Sequence, residues 1–206
     1  MIGKVKIRHL FLLAWLAALS TKAQVSSENY VQTTERISDT QVLSTTEYYD
    51  GLGRPFEMVE QKKTPDGANL IHLKEYDGLG RDWKTWLPVK DASDFLSISA
   101  ARSQGNNQYR DSHAFSLTEY DGSPLNRINT VEGVGAEWTS HPVKKDYLVN
   151  TSKYPLNCKY YRVSMQGQLQ DKGYYPEGRL YVTKTTDENG NESYEFKNIA
   201  GNVILK

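Results

Sequence analysis

Two stretches decide how this chain is read: Glu47–Gln61, "EYYDGLGRPFEMVEQ", and Lys74–Pro88, "KEYDGLGRDWKTWLP". Both carry the hexamer Tyr-Asp-Gly-Leu-Gly-Arg, at Tyr49–Arg54 and Tyr76–Arg81, so Asp50 and Asp77 lie 27 residues apart (50 to 77). A period of that size fits a wound or stacked β architecture rather than a duplicated active site. Asp-Gly supplies a side chain that hydrogen-bonds forward along the backbone and a residue free to take positive φ. The hexamer therefore reads as a chain reversal. Tyr49 and Tyr76 end strands, Asp50-Gly51 and Asp77-Gly78 turn, Gly53 and Gly80 relax the turn, and Arg54 and Arg81 begin the return. Asp and Arg then face each other across the neck of a hairpin, where their charges pair and fix register.

Outward from the hexamers, Val42–Tyr49, Arg54–Lys62, Leu70–Tyr76 and Arg81–Leu87 have strand length and are separated by "DGLG", "TPDG" and "DGLG". Pro65 presets φ ahead of Asp66-Gly67. Three tight reversals in succession predict four antiparallel strands in a meander. Alternation supports this: Ile71 and Leu73 face one way and His72 and Lys74 the other, while Trp83, Thr85 and Leu87 oppose Lys84 and Trp86.

The middle differs in kind. Ala92–Arg102 has helix propensity, a cap in Asp91 or Ser93, and Gly105-Asn106-Asn107 as a stop, which gives one short helix or a loop near residues 92–104. A third Tyr-Asp-Gly follows at Tyr120–Gly122. Strands return at Tyr147–Val149, Tyr160–Ser164, Gly178–Thr186 and Glu192–Lys197, with Asn189-Gly190 as a two-residue hairpin signal. Val203-Ile204-Leu205 is an apolar strand whose open edge calls for a partner in a continuing polypeptide. The expected class is all-β.

Residues 1–23, "MIGKVKIRHLFLLAWLAALSTKA", have the parts of a cleaved secretory signal: basic Lys4, Lys6 and Arg8, an apolar run from Leu10 to Leu19 too short to span a bilayer, and small Thr21 and Ala23. The exported remainder has 21 basic against 25 acidic side chains, a balance that argues against nucleic acid and against an anionic membrane surface. Export implies a secreted or cell-surface protein, with the periplasm also open. The expected division is signal peptide 1–23, extended leader 24–40, N-terminal β domain 41–150, and a further β region 151–206. Cys158 is the sole cysteine, which excludes an intrachain disulfide; its strand-like surroundings, "YPLNCKYYRV", mark a small buried hydrophobe rather than a nucleophile.

Taken together, "YYDGLGRP", "EYDGLGRD" and "YYPEGRLYVTKTTDENGNESYEFKNIAGNVILK" resemble the tyrosine-aspartate (YD) repeats of bacterial RHS proteins. The linked order Asn29–Val31, the two hexamers, Asp121–Arg127 and Gly133–Trp138 is similar to the domain of unassigned function that precedes those repeats in RHS proteins exported by Gram-negative bacteria. The resemblance covers roughly residues 29–205. It implies that residues 41–150 are the N-terminal β domain of an RHS-type protein and 151–206 the truncated start of its YD-repeat β-sheet, a structural, toxin-associated module leading into a β-shell, whose partners are downstream repeats and an effector of the same polypeptide, with no catalytic residue and no cofactor. The chain departs from the pattern at Ser123–Arg127, where Leu-Gly-Arg would stand, and at Phe196–Gly201, where Tyr-Asp would.

His72, His113 and His141 lack metal-ligand spacing, and no Gly-x-Ser-x-Gly elbow is present. Glu57 with Glu60, and Asp187 with Glu188, are neighbouring acids read as solvated rather than as a glycosidase pair. "DENGN" starts like a calcium loop but lacks the distal ligand, and reads as a hairpin. Trp83 and Trp86 are the candidate ligand contacts of the alternative reading, a surface module binding glycans, with Trp138 and the strand-end tyrosines as further aromatic surface.

Overall fold

Along Asn69–Tyr76 side chains alternate buried and half-buried residue by residue, the period of a strand with one face on a core. The computed structural model describes residues 28–39 and 41–206, and its elements extend this strand in both directions. In chain order they are β1 (Asn29–Arg36), β2 (Val42–Tyr49), β3 (Pro55–Glu60), β4 (Asn69–Tyr76), β5 (Asp82–Trp86), β6 (Val89–Asp91), α1 (Ile98–Tyr109), β7 (Phe115–Tyr120), β8 (Ile128–Glu132), β9 (Val143–Val149), β10 (Lys159–Val163), β11 (Leu169–Tyr174), β12 (Tyr181–Thr186), β13 (Glu192–Lys197) and β14 (Val203–Leu205). The fold is all-β, with one short helix and a 3-10 turn at Ala136–Ser140 among the described residues.

The main sheet has the order β1-β2-β3-β4-β5-β7-β8-β9-β12-β13-β14, with β6 pairing β4 and β10-β11 forming a separate ribbon. Every pairing is antiparallel. β2 to β5 are the meander expected from the two hexamers. The signal segment and the start of the leader lie outside the described residues. The rest of the leader is not a mere connection, since Asn29–Arg36 pairs along its whole length with β2. Three strands of the middle, β6, β7 and β8, and the polar β11 were not legible as strands.

The helix sits later than expected. Ser97 is its cap, accepting from the Ala100 N–H at 3.2 Å, and Arg110 closes it in the left-handed conformation at φ 53°. Gly105-Asn106-Asn107 lies inside the helix rather than ending it, for a packing reason. A Cβ on Gly105 would come within 3.3 Å of the Trp86 ring and 3.5 Å of Val89, so glycine lets the helix approach the sheet at a cost in intrinsic propensity. The core beneath it contains Tyr48, Phe56, Val59, Ile71, Leu73, Trp86, Val89, Ala101 and Phe115. A second, smaller cluster of Cys158, Leu180, Val182 and Phe196 lies between the later strands and the base of the ribbon.

Candidate functional site

The hexamers close their hairpins by a rule that recurs along the chain. In Asp50–Arg54, Thr64–Ala68, Asp77–Arg81, Ser164–Gln168, Asp187–Asn191 and Asn198–Asn202, the first residue's N–H donates to the fifth residue's carbonyl. The fourth residue's N–H donates to the first residue's carbonyl. That fourth residue is always glycine, with φ between 76° and 83°. This is the three-residue hairpin loop with a left-handed glycine at its end.

Two expectations are corrected here. Gly51 and Gly78 do not take positive φ; Gly53 and Gly80 do, because the left-handed position is the one that rejoins the strand. Asn189-Gly190 is likewise not a two-residue turn, since the loop begins at Glu188 and only Gly190 is left-handed.

The opening Asp does two things at once. Asp50 Oδ1 accepts the N–H groups of Leu52 and Arg54 at 2.9 and 3.0 Å, and Asp77 Oδ1 those of Leu79 and Arg81 at 2.9 Å each. The other oxygen takes the Arg Nε, at 2.8 Å for Asp50 and 2.7 Å for Asp77. These donors, the Arg54 and Arg81 backbone N–H groups first, hold both carboxyls below the usual aspartate range. Asp187 keeps the same backbone bonds and replaces Arg by Asn191, whose Nδ2 donates at 2.9 Å, and so closes a hairpin of the same kind.

Each Arg then reaches the next hairpin. The Arg54 guanidinium lies 4.5 Å from the centre of the Tyr76 ring, Arg81 lies 4.4 Å from that of Tyr120, and Arg127 lies 5.1 Å from that of Tyr147. Each tyrosine hydroxyl donates to the carbonyl one residue past that arginine: Tyr76 to Pro55 at 2.7 Å, Tyr120 to Asp82 at 3.0 Å and Tyr147 to Ile128 at 3.1 Å. Arg81 Nη1 also donates to the Asp121 carbonyl at 3.2 Å. The Tyr, the Asp and the Arg of the motif thus bind three successive turns along one end of the sheet. Tyr49 stands outside this relay, its hydroxyl donating to Glu47. At the β9 to β12 connection the buried Asn150 takes the Asp role, Oδ1 accepting from Arg179 and Leu180 at 2.9 and 2.8 Å. The whole β10-β11 ribbon is inserted between Asn150 and Gly178, whose N–H donates to the Asn150 carbonyl.

The two tryptophans proposed as ligand contacts separate. Trp86 is 6% exposed; its Nε1 donates to Glu75 Oε1 at 2.6 Å, and its ring packs 4.6 Å from Phe115. It is a core residue. Glu75 also binds the Arg102 guanidinium, tying α1 to the sheet. Trp83, half-buried on the opposite side of the strand, has the Lys84 Nζ 4.2 Å from its ring centre. Trp138 is 49% exposed beside His141.

Glu57 departs from the expectation of a solvated acid. The β-bulge at Tyr48/Tyr49 leaves Phe56 unpaired and turns both Phe56 and Glu57 inward. Glu57 is 2% exposed; Oε1 accepts the Leu96 N–H at 3.0 Å and Oε2 is buried with no partner. Burial pushes its carboxyl up to about 7. Glu60 sits on the opposite face, against His72 at 3.1 Å, so the two acids do not converge on one bond. Cys158 is buried and burial raises its thiol.

A cleft of about 590 Å³ opens beside the first hexamer, lined in part by Asp50, Arg54, Phe56, Tyr76 and Phe95. Its charged groups are committed to one another or to neighbours: Asp50 to Arg54, Lys74 to Asp82, Glu75 to Arg102. Among the described residues no group of three or more His, Cys, Asp or Glu is placed to hold a metal ion, and no helix is long and apolar enough to cross a membrane.

Fold and site define a class: an antiparallel β-meander whose glycine turns are cross-linked by arginine and tyrosine. Residues 20–149, more than half of the chain, match the family described as a domain of unknown function (DUF6443), and the chain belongs to that family. The match ends one residue before Asn150, where the ribbon enters. No curated protein and no solved structure matches the chain.

Proposed function

We propose that this protein is a non-enzymatic structural module of an exported RHS or YD-repeat protein, contributing β-strands to a shell that encloses or presents an effector of the same polypeptide. The relay from Arg54 to Tyr76, Arg81 to Tyr120 and Arg127 to Tyr147 carries this reading. It commits the most polar residues of the repeated motif to holding neighbouring hairpins in register, and leaves none of them free for a reaction. A contact repeated at each turn is what a wall built by adding hairpins requires, since each unit must orient the next.

The test is limited proteolysis of the full natural polypeptide, with and without Asp77→Ala and Arg81→Ala together. The expected result is a protease-resistant shell whose enclosed polypeptide becomes cleavable in the double variant, while hydrolase screening of either form finds no activity. Retention of a glycan that Trp83→Ala abolishes with the fold intact would favour the adhesive reading instead.

A further inference from the structure

The segment "GVGAEW", Gly133–Trp138, has no part in the relay and builds a groove at the opposite end of the sheet. There β8 joins β9 through the 3-10 turn, and β12 joins β13 through the Asp187–Asn191 loop. The connection between α1 and β7 holds that turn in place. Both carboxylate oxygens of Asp111 accept the Ala136 N–H at 3.1 Å, and the Gly135 N–H donates to the His113 carbonyl at 2.9 Å. Two glycines let the Trp138 indole lie close to the backbone. A Cβ on Gly133 would stand 3.8 Å from Trp138 Cγ, and one on Gly135, at φ 110°, 3.4 Å from Cδ1. The residue still keeps 49% exposure. Trp138 lines a groove of about 350 Å³ with Glu137, His141, Glu188 and Asn189. A second hollow, sharing His141, Glu188 and Asn189, extends it toward Lys144 and Asp187.

We infer that this groove binds a cationic side chain of another polypeptide, the guanidinium of Arg or the ammonium of Lys, on the Trp138 ring and against the carboxylates of Glu137 and Glu188. Charge balance separates it from the cleft beside the first hexamer. In that cleft Asp50 and Glu75 each hold an arginine. Here, among the described residues, the carboxylates of Glu137 and Glu188 have neither a hydrogen-bond nor an ion-pair partner. Asp187 adds a third carboxylate, engaged by its own turn, and Lys144 is the one ammonium lining the two hollows. Even with His141 protonated the groove is anionic. A cation offsets the two open carboxylates and is attracted by the π face of the indole. An anion is repelled, and a neutral sugar stacks on the ring but leaves both charges unbalanced. An open surface groove suits a side chain carried on a polypeptide, whereas a free small molecule is held by enclosure on most sides. The site is independent of the shell reading, since none of its residues belongs to the arginine–tyrosine relay.

Two-dimensional NMR titration of the isotope-labelled purified protein with capped Gly-Arg-Gly, Gly-Lys-Gly and Gly-Gln-Gly tests this. The Arg and Lys peptides are expected to shift the Trp138 indole N–H and the backbone amides of Asn189 and Gly190 at millimolar concentration, and the Gln peptide to leave them in place. High salt weakens the binding, because the carboxylates are exposed. Trp138→Ala raises the dissociation constant about fivefold, read from the Asn189 and Gly190 amides. Glu188→Gln, on an exposed loop that keeps its turn bonds, raises it about threefold with an unchanged circular dichroism spectrum. Resonances indifferent to both cationic peptides, an equal response to the Gln peptide, a dissociation constant unmoved by Glu188→Gln, or preferential binding of chitotriose would each overturn the assignment.

Discussion

Arg54 and Tyr76 stand on different hairpins, yet the guanidinium of one lies 4.5 Å from the ring centre of the other, and the Tyr76 hydroxyl donates at 2.7 Å to the carbonyl of Pro55, the residue after Arg54. Tyr76→Phe removes the hydrogen bond and keeps the ring, so it is expected to cost about 1 kcal/mol. Arg54→Met, which also removes the side-chain donor to Asp50 Oδ2 while leaving the backbone donors to Oδ1, is expected to cost about 1–2 kcal/mol. Urea unfolding of the two single variants measures both.

The two glycines of the second hexamer have unequal duties. Gly80 has φ 81°, and a Cβ there would sit 2.8 Å from Arg54 Nη1, whereas nothing lies within 4 Å of a Cβ on Gly78. Gly80→Ala is expected to destabilise by about 1–2 kcal/mol through left-handed strain and displacement of Arg54. Gly78→Ala is expected to stay within about 0.5 kcal/mol of the wild type. Equal effects in thermal unfolding would contradict this division.

Glu57 gives the fold a pH dependence with a definite sign. Its carboxyl titrates near 7 when folded, against an ordinary value of 4.5. Between these values the folded state holds a proton that the unfolded state has released, so stability falls as pH rises through that window. Below 4.5 both states are protonated and the penalty disappears; above 7 it is complete, on the order of 3 kcal/mol. Asp50 and Asp77, held below the ordinary aspartate range by the turn N–H groups, titrate below this window and do not mask it. Glu57→Gln keeps an acceptor for the Leu96 N–H and is expected to be more stable than the wild type at pH 8. It should flatten the stability profile between pH 5 and pH 8, read from urea midpoints.

Trp86 is expected to report on folding and not on ligand. With its ring at 6% exposure and its N–H on Glu75, Trp86→Ala should cost about 3–5 kcal/mol. Trp83→Ala, on a half-buried ring, should cost markedly less. Chemical denaturation of both variants, followed by tyrosine fluorescence, separates the two roles.

What the sequence made legible was local. Asp-Gly turns and period-two alternation placed β2 to β5, and the charge pairing of Asp50 with Arg54 followed from their spacing. What stayed hidden depended on partners distant in the chain. Nothing near Gly105 signals that Trp86 occupies the space its side chain would fill, so the glycine looked like a helix stop. Glu57 looked solvated because the bulge that turns it inward is set by the register of β2 against β3. The strands β7 and β8 are only six and five residues long, and the pairings that define them, with β5 and β9, join segments separated by the helix and by the 3-10 turn. Arg81 and Tyr120 are 39 positions apart, and only the strand order brings them together.

The arginine–tyrosine contacts couple one glycine turn to the next. A double-mutant cycle on Arg81→Met and Tyr120→Leu, read by urea unfolding at pH 7, measures that coupling directly. A coupling energy of about 0.5–1.5 kcal/mol, with each variant retaining the wild-type circular dichroism spectrum, is the predicted result. Strict additivity of the two substitutions would mean that the turns stand independently, and would contradict the account.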